Sequence, residues 1–203
     1  MSKAIIWGVE KGAIRRIDIR SGDEDSEDRA VYVIEEPPGY RDLKFSRKKH
    51  RIFFPWIYFF SEVGKGDHDL FWIHAFYGCI SKVRVNDLGS KVLRYAPFPN
   101  SSGCGELCLP DQKIGFENPL ECALHGVQLF WLSNGNEMRP SEVNVPHRLV
   151  NKKSKDWRRR IFAEWAALSP KEVMGLDWGR MPRGMESIND ALSEMNWDCE
   201  DNF

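Results

Sequence analysis

The stretch Pro97-Phe98-Pro99-Asn100-Ser101-Ser102-Gly103-Cys104-Gly105-Glu106-Leu107-Cys108-Leu109-Pro110, PFPNSSGCGELCLP, divides the chain. Residues 1–95 before it read as β-rich and residues 117–203 after it read as helical. Within it, prolines frame Phe98 and Asn100, Gly103 and Gly105 supply a flexible turn, and Cys108 stands between Leu107 and Leu109. Three chemistries fit that composition: a structural turn, part of a metal site, or a thiol nucleophile with an amide nearby to stabilise an oxyanion.

Upstream, the runs Ala4 to Val9 and Ala13 to Ile19 flank Lys11-Gly12 and suit a hairpin. The acidic run Ser21 to Asp28 reads as an exposed loop, and Ala30 to Ile34 as a strand before the turn EEPPGY. A basic segment, Lys44 to Arg51, comes next. Phe53 to Phe60 is apolar on both parities, which predicts a strand buried on both faces, with Pro55 near its start. Asp69 to Tyr77 is a further strand candidate, in which His74 reads as a core histidine. An antiparallel meander is the simplest arrangement of this half.

Downstream, Asn118-Pro119-Leu120-Glu121 carries an N-cap residue, a proline in the first turn and an early glutamate. Leu120, Leu124, Val127 and Trp131 then recur at helical spacing until Asn134-Gly135. Further helices are predicted over Asp156 to Leu168 and Met185 to Met195, with a frayed acidic end from Trp197. The expected organisation is an α+β domain over residues 1–150 and a helical C-terminal extension over 151–203.

Composition limits the function. The chain of 203 residues is 42% hydrophobic and 12% aromatic, enough for a substantial core. Its formal net charge of −1 argues against nucleic acid as a partner of the whole surface, leaving only local patches. No run approaches the ~20 apolar residues of a membrane span, and a cytoplasmic setting without membrane association is expected. The five cysteines, an odd number, favour free thiols, a metal or catalysis over a disulfide framework.

The order of strands, Pro-Asn turn, glycine-containing loop, cysteine between aliphatics, then helices resembles the ubiquitin-conjugating enzymes, the E2 family, and in particular divergent bacterial and phage E2-like proteins. Phe98-Pro99-Asn100 lies over the family's His-Pro-Asn turn, with Phe98 where the family has histidine, and Gly105 to Leu109 lies over the cysteine segment. The spacing from asparagine to cysteine is the same. The aromatic strand before the turn and Phe130-Trp131-Leu132-Ser133-Asn134 after it extend the resemblance over Phe53 to Asn134. It implies an E2-like core, a thioester formed on Cys108, an E1-like activating enzyme and a ubiquitin-like protein as partners, and no cofactor. Asn100 would then donate to the tetrahedral oxyanion, with Pro99, Gly103 and Gly105 shaping the turn.

The alternatives stay open at this level. Cys104, Cys108, Cys122 and His125 supply the ligand types of a structural zinc site, although Cys122 also reads as core. His125 is either a helix-face histidine without a function or a base for Cys108 or the incoming nucleophile. Arg158, Arg159 and Arg160 suit a partner-binding surface, and together with Lys44 to Arg51 they would serve a catalytically silent E2-fold module that binds protein or nucleic acid.

Overall fold

The computed structural model describes residues 14–17, 29–101, 105–110, 114–135, 145–150, 157–181 and 184–194. The strand expected over Ala4 to Val9, the acidic loop from Ser21 to Asp28 and the end from Trp197 lie outside these residues. The protein is α+β, built from strands β1 (Ile14–Ile17), β2 (Arg29–Glu36), β3 (Gly39–Phe45), β4 (Lys48–Phe54), β5 (Trp56–Lys65) and β6 (Phe71–Ser81). Helix α1 (Pro119–Leu132) and the two-residue strand β7 (Asn134–Gly135) follow, then α2 (Trp157–Ala166), α3 (Pro170–Gly175) and α4 (Ile188–Glu194). No helix among the described residues is long and apolar enough to cross a membrane.

The strands do not form one continuous meander. Four of them make an antiparallel sheet in the order β1-β2-β5-β6, while β3 and β4 leave it as a hairpin that joins β7 in a second sheet, ordered β4-β3-β7. The basic segment is the tip of that hairpin. Ser46 and Arg47 form its two-residue turn with φ of 47° and 65°, both in the left-handed region that the twist of a tight hairpin requires. Pro55 sits between β4 and β5, where its missing N–H costs neither ladder a hydrogen bond.

The apolar run expected as one strand over Phe53 to Phe60 is split at Pro55, and its second part, the start of β5, is buried on both faces. On one face Ile57 and Phe59 join Tyr32, Ile34, Phe76 and Ile80 in a cluster covered by α1, the hairpin and α2. On the other, Tyr58 and Phe60 join Val31, Val33, Tyr77 and Cys79 beneath Leu88, Leu93, Tyr95 and the α4 residues Ile188, Ala191 and Leu192. The second face also holds a polar anchor. Tyr58 donates to the buried Glu35 carboxylate at 3.0 Å and accepts from the Val85 amide at 2.8 Å, and Arg84 donates to the same carboxylate at 2.9 Å. Pairing of this kind is what lets a carboxylate sit in an interior.

Helix α1 begins where its cap predicts: the Asn118 side chain accepts from the Leu120 and Glu121 amides at 2.9 and 3.4 Å. Its buried face is formed by Cys122, Ala123, Gly126, Val127 and Phe130, with Leu120, Leu124 and Trp131 packed at the margins. Ser169-Pro170, at the end of the second predicted helix, also starts α3 with a capping box through Glu172. Residues of the expected extension, Ile161, Phe162, Trp165, Val173, Leu176 and Trp178, belong to the same cluster as β2, β5 and α1.

His74 is not a core residue. Glu62 pairs with Ala75 and Val63 with Ile73, so His74 is the extra residue of a β-bulge, and it is exposed. The bulge breaks the alternation that would have turned its side chain inward.

Candidate functional site

The Pro-Asn turn is held by the side chain before it. Phe98 is fully buried, stacked on Phe54 with centroids 5.8 Å apart and edge-on to Phe130 of α1 at 5.4 Å. It seats over Gly78 of β6, where an added Cβ would lie 3.0 Å from the Phe98 ring and 2.8 Å from Leu107 Cδ1. The gap at Gly78 therefore admits both anchors, one from each side of the candidate site. On the other side of the turn, Pro99 packs so closely on Gly135 that a Cβ there would fall 2.2 Å from Pro99 Cβ. Ser101 closes the turn, its hydroxyl donating to the Phe98 carbonyl at 2.7 Å.

Asn100 and Cys108 are brought together. Asn100 has φ of 56°, in the left-handed region that asparagine tolerates better than most residues, and its carbonyl accepts from the Cys108 amide at 2.8 Å. Ser101 pairs with Leu107 in an antiparallel bridge just inside that hydrogen bond, so residues 100 and 108 form the neck of a short loop. The loop is fixed to the outer edge of β6: the Leu107 amide donates to the Phe76 carbonyl at 2.7 Å and the Gly78 amide to the Gly105 carbonyl at 3.1 Å. Gly105 has φ of 88°, a left-handed conformation that favours glycine, and lies in ordinary contact with Gly78 and Met181. Gly103 and Cys104 lie outside the described residues.

The three described cysteines differ in the way a nucleophile requires. Cys108 is exposed, whereas Cys79 and Cys122 are buried. Burial pushes the Cys79 thiol far up and the Cys122 thiol up to about 11, and Cys122 Sγ donates to the Phe71 carbonyl at 3.4 Å. Neither can supply much thiolate near neutrality. Among the described residues no group of three or more His, Cys, Asp or Glu side chains is placed to hold a metal ion. Cys122, weighed as a zinc ligand, is occupied as a core thiol.

His125 lies half-buried on α1 with its ring 5.0 Å from that of Phe116. Arg158, Arg159 and Arg160 lie on α2, which packs on β4 rather than on the β6 edge, and Arg160 pairs with Glu164 at 3.3 Å. Asn100 and Cys108 are neighbours through their backbones, and nothing in the sequence pointed to Gly78, Gly135 or Ser101, which hold them. Glycine signals a close approach only when the partner is known.

No protein-family model matches the chain, and no curated protein or solved structure matches it either.

Proposed function

We propose that this chain is an E2-like carrier, with an E2-like core over residues 1–150, that takes a ubiquitin-like protein as a thioester on Cys108 and passes it to an amine. The observation that carries the reading is the neck of the loop: an exposed thiol one backbone hydrogen bond from an asparagine held at φ 56° by buried anchors. The left-handed backbone of Asn100 and its buried neighbours fix the turn beside the exposed thiol.

In the first step the Cys108 thiolate attacks the carbonyl carbon of the activated carboxyl terminus, presented as a thioester by an E1-like enzyme. The tetrahedral oxyanion collapses and expels the donor thiolate. In the second, an amine attacks the carbonyl carbon on Cys108, the carbon–sulfur bond breaks, Cys108 leaves as thiolate, and the surplus amine proton passes to a base, for which His125 is the candidate. The Asn100 amide donates to the oxyanion in both steps, an interaction whose loss commonly costs ~2.7–4 kcal/mol of barrier.

The test uses a short peptide with a C-terminal glycyl thioester of mercaptoethanesulfonate as the activated carboxyl donor. The protein is expected to form a thiol-labile adduct mapped to Cys108 and absent in Cys108→Ala. The adduct is expected to discharge to free lysine faster than the same peptide does from glutathione. Discharge no faster than from glutathione makes Cys108 an accessible thiol without a catalytic surrounding and refutes the reading.

A further inference from the structure

The fold unites two basic segments that the sequence keeps more than a hundred residues apart. The hairpin β3–β4 carries Lys44, Arg47, Lys48, Lys49 and Arg51 at its distal end with no acidic residue between 44 and 51. Helix α2 lies along the inner side of that hairpin, and its direction follows from two contacts. Phe162 packs on Phe45 near the tip, with centroids 4.7 Å apart, while Trp165, one turn later, packs on Phe54 at the base, also at 4.7 Å. The N-terminal turn of α2, with Arg158, Arg159 and the exposed Arg160, is therefore at the tip end. A chain with a net charge of −1 has gathered eight cationic residues at one end of one substructure.

The outward face of the hairpin is ordered by its register. Tyr40 pairs with Phe53, Asp42 with Arg51, and Lys44 with Lys49. Like charges directly opposite in a ladder destabilise it, and Asp42 lies between two of these cations, 2.9 Å from Lys49 and 4.0 Å from Arg51. The Asp42 carboxyl is held below its usual range by that hydrogen bond from Lys49. Lysines placed on an exposed edge strand guard against aggregation, but that role accounts only for β4, the edge, and not for Lys44 on β3 or the arginines of α2. On the same face Tyr40 is 46% exposed, edge-on to Phe53 at 5.4 Å with the Arg51 guanidinium 5.5 Å from its ring centre. An exposed aromatic ring with Arg51 against one face, followed by cations over about 20 Å of strand, matches a few nucleotides of a single strand, one base stacked and successive phosphates neutralised.

We propose that the outward face of this hairpin, from Tyr40 near its base to the cations of its tip, binds single-stranded nucleic acid through its phosphates, with Tyr40 as a stacking platform and the start of α2 adding positive charge beyond the tip. The hairpin tip and the Pro99-Asn100 turn both pack on Gly135, but the proposal uses none of the residues of the Cys108 site and stands whether or not Cys108 carries a thioester.

The test is fluorescence anisotropy of the full chain with a labelled oligothymidylate of about 20 nucleotides at about 50 mM salt. Saturable binding is expected, weakening with log salt at a slope of about −2 to −4, as for about three to five phosphate contacts. Lys44→Glu with Lys48→Glu is expected to weaken binding at least tenfold, and the neutral pair Lys44→Gln with Lys48→Gln to weaken it less, with the melting temperature monitored for both. Tyr40→Ala is expected to cost roughly 5- to 150-fold, the range for losing one base stack. Absence of binding overturns the proposal, as does affinity unchanged in the folded lysine variants. Equal competition by polyglutamate together with an unchanged Tyr40→Ala affinity also overturns it, because the surface is then a dock for an acidic polypeptide.

Discussion

Replacing Asn100 separates its backbone from its amide. At φ 56° an alanine pays for the left-handed conformation with about 1–2 kcal/mol, whereas glycine adopts it freely. For a chain of this size that penalty lowers the melting temperature by about 2–8 °C in Asn100→Ala, at about 2–4 °C per kcal/mol. Asn100→Gly should stay within about 2–4 °C of the wild type, because relief of the conformation offsets the larger unfolded-state entropy of glycine. Both variants keep the carbonyl that accepts from the Cys108 amide, and both lack the side-chain amide. If that amide serves the oxyanion, both should discharge the preformed Cys108 thioester roughly 10²–10³-fold more slowly than the wild type. The assay is single-turnover transfer of the peptide acyl group to lysine, followed by mass, beside a thermal melt of each variant. The telling variant is Asn100→Gly, whose fold is least disturbed. Wild-type discharge in Asn100→Gly would refute the catalytic role and leave Asn100 as a turn residue selected for its left-handed backbone.

Two further outcomes follow from the anchors. Phe98→His, which introduces the histidine of the His-Pro-Asn turn that this stretch resembles, should lower stability by about 1–3 kcal/mol or more, since the buried site offers an apolar aromatic surround to an imidazole that needs hydrogen bonds; a denaturant melt matching the wild type would show the site to be wetter than its packing indicates. Iodoacetamide at about pH 8 should alkylate Cys108 well before Cys122 or Cys79 by peptide mapping, because burial both hides the latter two and suppresses their thiolates; equal rates at Cys122 and Cys108 would contradict it.

The features legible in the sequence are those whose cause is local. The N-cap at Asn118, the two-sided burial of Trp56 to Phe60 and the short spacing from Asn100 to Cys108 depend on residues within a few positions of one another. The ejection of β3 and β4 into a second sheet was not legible, because its turn is Ser46-Arg47 rather than a glycine or asparagine pair, and sheet order depends on pairings far apart in the chain. The same holds for His74. Its exposure follows from a bulge set by the partner strand, which no alternation within β6 reveals. Only tertiary packing decided that Gly78 and Gly135 make room for Phe98, Leu107 and Pro99, and that the basic hairpin packs against α2 through Phe45 and Phe162. The sequence by itself determined which side chains a site could be built from; burial against distant elements determined which of them are held still, which are hidden and which are exposed.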